Sequence, residues 1–185
     1  MDELAMLDAL SVVRAPWLDL PMVAISTFGN MGIGWVMLGI VLICVRRYRR
    51  VGIAAVVAIV VAGVLAKLVI GDLVVRPRPC DANPAFALLI PRPFGTSFPS
   101  GHAAAAFAAL AVLVAFRMPK GVVIPSAILA VLIAFSRLYL YVHYPTDVLA
   151  GAALGALVGT VVALCLRPKQ PAPIPSGEGR PPDLP

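Results

Sequence analysis

The sequence predicts an all-α membrane protein, a polytopic helical bundle of about five transmembrane helices preceded by an N-terminal interfacial helix. Of its 185 residues, 61% are hydrophobic, against roughly 45–50% in ordinary soluble domains. The mean hydropathy is +0.95. Several apolar runs approach the roughly 20 residues that a helix needs to cross a bilayer, and short basic clusters separate these runs.

The N-terminal region and the apolar runs predict the elements in chain order. Residues 2 to 18 mix apolar and acidic side chains at near-helical spacing, which predicts an amphipathic helix lying in the interface. Residues 76 to 100 are rich in proline and predict a loop outside the hydrocarbon layer. The five predicted spans are Pro21 to Val45, Gly52 to Val75, Gly101 to Phe116, Val122 to Tyr139 and Asp147 to Leu166.

The two ends of the chain have different compositions. The N-terminus, MDELAMLDAL, is acidic where a secretory signal would be basic, so we expect the first apolar segment to remain in the protein. Residues 167–185 are mostly Pro, Gly, Ser and charged residues, which predicts a disordered tail. We therefore expect one membrane-embedded domain, residues 1–166, followed by this tail.

Basic residues predict the orientation of the chain in a cell membrane. The 46–50 cluster, the turn with Arg117 and Lys120, and the exit at Arg167 fall on one side of five spans. Because such clusters stay in the cytoplasm, the C-terminus is expected there, and the 76–100 and 137–146 loops on the extracytoplasmic side. The net charge of +6 lies largely in these clusters, so nucleic acid is not an expected partner.

Cysteine usage gives no sign of a metal centre. Cys44, Cys80 and Cys165 are too few and too scattered for a metal site or a disulfide framework. We therefore expect packing roles for these cysteines, and neither a metal nor another cofactor.

The first polar group of the outer loops contains Arg76 and Arg78, each followed by a proline. Prolines restrict the backbone, and guanidinium groups offer paired planar donors that suit phosphate oxygens. This group is a candidate phosphate clamp. The alternative is a pair of juxtamembrane arginines that extend their charged ends to the interface.

The second group, Pro99-Ser100-Gly101-His102, opens the third predicted span. Ser100 is placed to cap the helix, whose free N–H groups attract anions. Gly101 lets a phosphate approach the backbone, and His102 is placed to donate a proton to a leaving oxygen. Simple capping is the alternative.

The third group contains Arg137, His143 and Asp147, immediately before the fifth span. A neutral imidazole attacks phosphorus through one nitrogen, while a carboxylate on the other nitrogen holds the tautomer and stabilises the resulting cation. Arg137 would neutralise the oxygens of the transferred group. The alternative is an interfacial histidine beside an acidic residue at a helix N-terminus.

Together, RPRP at 76–79, PSGH at 99–102 and SRLYLYVHYPTD at 136–147 resemble the three-part signature of the type 2 phosphatidic acid phosphatase family. The resemblance covers roughly residues 15 to 166. It implies a six-helix fold, here five spans and the N-terminal helix, and metal-independent hydrolysis of phosphate from a membrane lipid in the bilayer. It also implies that water then hydrolyses a phosphohistidine.

The resemblance assigns roles to individual residues. His143 is implied as nucleophile, Asp147 as its orienting partner and His102 as general acid. The implied phosphate-binding residues are Arg78, Arg137, Ser100 and Gly101, to which we add Lys67 and Arg76.

The chain departs from the family pattern at one position. The family usually places a lysine seven residues before the second arginine of RPRP, where this chain has Gly71. Lys67 precedes that position by about one α-helical turn, or about 6 Å. We expect Lys67 to recover part of that distance, with Arg76 as another compensating cation.

Two further questions remain open at the level of the sequence. Gly151, Gly155 and Gly159 permit close helix packing, either inside the protein or in a homodimer. The favoured substrate is a polyprenyl diphosphate or polyprenyl-linked phosphate, with phosphatidic acid or phosphatidylglycerol phosphate as alternatives. A catalytically weak scaffold or lipid-binding protein is the alternative from a different class.

Overall fold

The computed structural model describes residues 2–167, which form helices and loops with no strand in that range. The predicted all-α bundle is therefore confirmed. The predicted tail lies outside the described residues, except for Arg167.

The N-terminal region contains a helical break that the sequence pattern did not predict. Helix α1, Glu3–Ser11, begins with the Asp2 side chain accepting the N–H of Leu4 at 3.0 Å. Helix α2, Pro16–Phe28, begins at a proline, and Ala15 before it is extended at φ −142° and ψ 142°. Because a residue before proline disfavours the helical region, the segment predicted as one helix over residues 2 to 18 is two.

The first predicted span is bent. Helix α2 and helix α3, Ile33–Cys44, meet at an angle of 46°. Between them, Met31 and Gly32 have φ values of +50° and +71°, which no α-helix accommodates. A Cβ on Gly32 would lie 2.9 Å from Ile59 Cγ2, so glycine also permits the close packing there. The span predicted from Pro21 to Val45 is therefore two helices joined at a bend.

The remaining helices follow in chain order. A short 3₁₀ turn precedes the next long helix, which contains a π-helical turn, Leu65–Ile70, before its last turn. The helices are α4 Arg49–Val64, α5 Gly71–Leu73, α6 Pro79–Ala82, α7 Gly101–Ala115, α8 Lys120–Tyr139 and α9 Pro145–Leu166.

Within residues 2–167, four helical units are long and apolar enough to cross a membrane when the bent pair is counted as one. Three are continuous, Arg46–Leu73, Lys120–Tyr139 and Pro145–Leu166, and the fourth is the bent α2–α3 pair. Helix α7 has 15 residues and is shorter than the roughly 20 of a straight span. The third predicted span is present as this shorter apolar helix, in which eight residues are buried.

Helices α7 and α9 form the most closely packed pair. A Cβ on each of three glycines of α9 would collide with a carbonyl oxygen of α7 or of its N-cap residue. The pairs are Gly151 with Ser100, Gly155 with Ala104, and Gly159 with Ala108. The small-residue stripe therefore makes contacts inside the protein.

Polar loops and helix starts meet at one end of the bundle, which we call the site end. The Ser100 N–H donates to the Asp147 carbonyl at 2.9 Å, so the starts of α7 and α9 are adjacent. The Ala15 N–H donates to the Tyr139 hydroxyl at 3.2 Å, which places the start of α2 beside the end of α8. The turns around residues 46–50 and 117–120 lie at the other end, which we call the basic end.

Candidate active site

The three polar groups of the sequence come together at the site end. His143 lies between α8 and α9, Arg137 in the last turn of α8, and Asp147 in the first turn of α9. Arg78 reaches them from the loop before α7, and His102 from the start of α7. Residues far apart in the chain thus form one buried site rich in positive charge.

The imidazole of His143 lies between a carboxylate and a guanidinium. Only 3% of the residue is exposed. Its Nδ1 is 3.6 Å from Asp147 Oδ2, and its Nε2 is 3.2 Å from Arg78 Nη1. Because 3.6 Å exceeds hydrogen-bond length, Asp147 acts on the ring through its charge in this structure. Nε2 is the nitrogen that faces the cationic side of the site.

The environment keeps the His143 ring neutral. Burial lowers the pKa of His143 from 6.5 to about 4. Arg137 and Arg78 act in the same direction, while Asp147 opposes them. At neutral pH the ring therefore has a lone pair available on one nitrogen, which a nucleophile requires.

Three donors hold the fully buried carboxylate of Asp147. Ser97 Oγ donates to Oδ2 at 2.5 Å, and the Tyr144 N–H donates to Oδ2 at 2.8 Å. Arg76 Nη1 donates to Oδ1 at 2.6 Å. Sequence analysis missed Ser97, because a serine in a proline-rich loop has no spacing relative to Asp147 that would single it out.

Arg78 connects two loops while facing His143. Its Nε donates to the Gly95 carbonyl at 3.1 Å, and Nη2 donates to the Thr96 carbonyl at 3.0 Å. Nη1 donates to the Val142 carbonyl at 2.9 Å. A guanidinium held in this way is preorganised, so a phosphoryl oxygen at His143 Nε2 would meet a fixed donor.

Arg137 is buried with unused hydrogen-bonding capacity. The residue is 4% exposed, and one terminal nitrogen donates to the Ser26 hydroxyl. Its Nε has no partner within residues 2–167. A buried cation with an available donor, close to a second arginine, suits an anionic ligand. Ser26 is a further residue that sequence analysis missed, because it lies inside an apolar helix.

Ser100 occupies the N-cap position of α7 but does not cap it through its side chain. Its hydroxyl is fully buried and has no partner in the described part of the chain. The backbone of Ser100 is oriented instead by its N–H bond to the Asp147 carbonyl. The predicted capping bond is thus corrected, and the hydroxyl remains available to a ligand. Beside it, a Cβ on Gly101 would meet nothing within 4 Å among residues 2–167.

His102 follows at the second position of α7. His143, Arg137 and the Ser26 backbone are among its electrostatic and hydrogen-bonding neighbours. Its Nε2 is buried without a partner in residues 2–167. A Cβ on Gly29 would lie 3.3 Å from the ring, so the break between α2 and α3 makes room for this histidine. The structure thus brings both histidines of the chain into one site.

Lys67 lies on the π-helical turn at the edge of the site. Its side chain is exposed, and it is an electrostatic neighbour of His102. The expected α-helical offset between Lys67 and Gly71 is corrected, since a π-helical turn connects them. A Cβ on Gly71 would lie 3.1 Å from Thr96 Oγ1, so the loop before α7 packs directly over the position of the family lysine.

Arg76 binds carboxylates in this structure. Besides Asp147, it contacts Thr146 Oγ1 at 2.7 Å and Glu3 Oε2 at 2.5 Å. Its guanidinium carbon lies 4.1 Å from the centre of the Tyr144 ring. The predicted contact of Arg76 with phosphate is therefore less favoured than a contact with the orienting carboxylate. Glu3 is the third residue that sequence analysis missed.

The described residues contain no group of three or more His, Cys, Asp or Glu side chains able to hold a metal ion. The arrangement that they do contain, a neutral buried histidine flanked by a carboxylate and two arginines, suits nucleophilic attack on a phosphorus centre.

Comparison with known proteins finds similarity to lipid phosphatases. A family model described as the PAP2 superfamily matches residues 51–171. An undecaprenyl-diphosphatase of Sulfolobus acidocaldarius is 37% identical, with 74% of this chain and 65% of that protein covered. A decaprenylphosphoryl-5-phosphoribose phosphatase of Mycobacterium tuberculosis is 40% identical, with 75% of each chain covered.

A solved structure has the same fold. The crystal structure of a transmembrane PAP2 type phosphatidylglycerolphosphate phosphatase from Bacillus subtilis superposes with a TM-score of 0.70. The two proteins are 29% identical, and the match covers 86% of this chain and 82% of that one.

Proposed function

This chain belongs to the PAP2 superfamily, and we propose that this membrane phosphatase hydrolyses a polyprenyl diphosphate or polyprenyl-linked phosphate through a phosphohistidine on His143. The observation that carries the proposal is the placement of His143, with Nδ1 toward Asp147 and Nε2 toward Arg78. The neutral ring and the cationic surroundings are the two requirements for attack on an anionic phosphate.

In the first step, the Nε2 lone pair attacks phosphorus. The N–P bond forms while the bond from phosphorus to the leaving oxygen breaks, and His102 gives its proton to that oxygen. Bound phosphate favours the protonated form of His102, because a nearby negative charge stabilises a cation. Asp147 stabilises the positive charge that develops on the His143 ring.

In the second step, water attacks the phosphohistidine. His102 accepts a proton from this water, the N–P bond breaks, and inorganic phosphate leaves with neutral His143 restored. His102 thus acts as the acid in the first step and as the base in the second, while Asp147 remains the partner of His143.

The phosphate group would be held by fixed donors on three sides. Arg78 and Arg137 supply charge, and the Ser100 hydroxyl and the N–H groups at the start of α7 supply neutral hydrogen bonds. We assign Lys67 to the entrance of the site, because it is exposed and close to His102.

The names of two relatives favour polyprenyl substrates. The structural relative, a phosphatidylglycerolphosphate phosphatase, favours a glycerolipid phosphate and supplies the second candidate. A scaffold without activity is the least supported alternative, since it would not require two buried arginines and two histidines in one site.

The test is phosphate release by purified protein in detergent, with EDTA present, from polyprenyl diphosphates, a polyprenyl-linked sugar phosphate and glycerolipid phosphates. We expect release that survives EDTA, is fastest with polyprenyl substrates and disappears in His143→Ala. Alkaline quenching with radiolabelled substrate should trap label on the wild type and not on His143→Ala. Release by a folded His143→Ala variant at the wild-type rate would refute the nucleophile.

We also propose that the site end faces the extracytoplasmic side, because the cluster of four exposed arginines within residues 46–50 lies at the basic end. In a cysteine-free background, Phe94→Cys at the site end should react with an impermeant maleimide in intact cells. Arg47→Cys at the basic end should react only after permeabilisation. The reverse pattern would invert the orientation. Phe94 suits this test because it is 97% exposed.

A further inference from the structure

The outer face of Asp147 is connected to the N-terminal helix by a chain of charges. Arg76 lies between two carboxylates, with Nη1 at 2.6 Å from Asp147 Oδ1 and Nη2 at 2.5 Å from Glu3 Oε2. Asp147 is fully buried, while the side chains of Arg76 and Glu3 are 28% and 20% exposed. One cation is thus shared between the orienting carboxylate and a residue near the start of the chain.

Glu3 is held on the same helix turn as Asp147. Its Oε1 accepts the Thr146 N–H at 2.8 Å, and its Oε2 accepts the Thr146 hydroxyl at 3.0 Å. Burial acts to raise the pKa of Glu3, but the bonds from Thr146 and Arg76 outweigh it and hold the pKa below its usual value. Glu3 is therefore anionic at neutral pH, and its position relative to Asp147 is fixed.

Glu3 and Arg76 together determine how much negative charge acts on the His143 ring. A lone arginine on Asp147 would cancel the negative charge that stabilises a cationic imidazole. Glu3 cancels the charge of Arg76 instead, so the three groups together remain singly negative. The bond from Arg76 then orients the carboxylate without removing its influence on the ring.

We infer that Glu3 and Arg76 are positioning residues of the phosphatase reaction, in which Arg76 orients Asp147 and Glu3 balances the charge of Arg76. The inference rests on the proposed function, because it concerns the carboxylate that stabilises the proposed phosphohistidine. Because Glu3 lies in α1, the inference gives this helix a part in the reaction. None of the three polar groups found in the sequence includes a residue of α1.

Other charged groups also affect the electrostatic potential at His143, and the substitutions at Glu3 and Arg76 leave them unchanged. His143 is faced by residues of α7, α8, α9 and the loop before α7, and Tyr144 lies beside Arg76. The charged or titratable groups that act on His143 or Asp147 are His102, Arg137, Arg78 and Tyr144. Asp81 lies beyond them as a neighbour of Arg78 and Tyr144, and Lys67 as a neighbour of His102.

The signature of charge balance is a pair of opposite shifts. Glu3→Gln keeps an oxygen acceptor but leaves Arg76 uncompensated, so the His143 titration should move to lower pH by about half to one unit. Arg76→Gln removes the cation and should move it to higher pH by a similar amount, about half to one unit. The double variant should return close to the wild-type midpoint.

Histidine NMR in detergent reads these shifts without requiring any activity. The chain contains only two histidines, so His102→Gln assigns the His143 signal. Asp72→Asn is the matched control, since it removes one exposed negative charge at the site end outside this network. Asp72→Asn should leave the midpoint within about 0.2 pH units of the wild type, as expected for a solvent-screened charge.

Kinetics provide the second readout. Glu3→Gln should lower kcat about three- to tenfold with little change in KM, because the cationic intermediate loses stabilisation. Glu3→Asp and Arg76→Lys keep the charges and should restore most of kcat.

The inference would be overturned if Glu3→Gln and Arg76→Gln moved the His143 midpoint in the same direction, or if they lowered thermal stability without moving it. Either result would mean that the contacts among Glu3, Arg76 and Asp147 are structural only. If the wild type releases no phosphate from any lipid but the opposite shifts appear, the charge balance stands and the proposed function fails.

Discussion

The two ends of the bundle both carry arginines, but they use them differently. At the basic end, Arg46, Arg47, Arg49 and Arg50 are exposed to solvent. At the site end, Arg78 and Arg137 are 6% and 4% exposed, and several of their nitrogens are bound to protein oxygens. Exposed cations are screened and free to move, whereas buried cations with fixed donors act on one place. Burial and fixation, rather than charge, distinguish the end that we propose to be catalytic from the end that we propose to set the orientation.

The largest difference between the ends should appear when one arginine at each is neutralised. Arg137→Gln should lower kcat/KM about 100- to 1000-fold, because it removes a preorganised cation from the transferred phosphoryl group. Arg47→Gln should change it less than about twofold, as expected for a solvent-screened charge. Phosphate release in detergent measures both. Equal losses would mean that the buried arginine supports folding rather than chemistry.

The pH dependence tests whether the site end keeps the proposed nucleophile, His143, neutral. Since burial lowers the pKa of His143 to about 4, kcat/KM should remain free of a His143 limb down to pH 5. Below that pKa it should fall about tenfold per pH unit, as protonation removes the lone pair. If kcat/KM instead fell near pH 6.5 in the wild type and in every variant that retains His143, the His143 ring would be solvated like a free imidazole.

The same pKa has a consequence for stability. His143 binds its proton less tightly in the folded protein than in the unfolded chain, where the pKa is near 6.5. Stability should therefore decline as pH falls from about 6.5 to about 4, and His143→Gln should reduce that decline. Thermal unfolding in detergent across this range measures it.

Two glycines of α9 compare packing near the two ends. Gly151→Ala and Gly159→Ala both place a Cβ against a backbone carbonyl of α7 and should destabilise the fold by about 1–3 kcal/mol. Only Gly151 contacts Ser100, so only its variant should also lose about tenfold in kcat/KM at temperatures where both are folded. Gly63→Ala, which meets nothing within 4 Å among residues 2–167, is the neutral control.

The smallest expected effect on kcat comes from removing a single hydroxyl group, and it is compared between Ser97 and Thr160. Ser97→Ala removes one of three donors to Asp147 and should lower kcat about fivefold, with KM unchanged. Thr160→Val removes a hydroxyl that donates to the Ala156 carbonyl of its own helix, and should have no measurable effect. A normal Ser97→Ala enzyme would show that Tyr144 and Arg76 are sufficient to orient the carboxylate.

Most of the helices and much of the candidate site were accessible from the sequence. Apolar runs and basic clusters predict helices because the bilayer demands both features, and three local motifs contain Arg78, His102 and His143. The bend between α2 and α3 was not predictable, since it depends on packing of Gly29 and Gly32 against residues far along the chain. The spacing of residues along the sequence does not indicate such long-range contacts.

The sequence by itself determined the class of the protein, the approximate spans, and the residue types that the chemistry requires. Only the tertiary structure decided which of these residues act together. It placed Arg76 on Asp147, left the Ser100 hydroxyl free of a capping bond, and added Ser97 and Glu3. Helix formation depends on neighbours within a turn or two, whereas a site depends on distances between side chains on different helices, which arise only when the bundle packs.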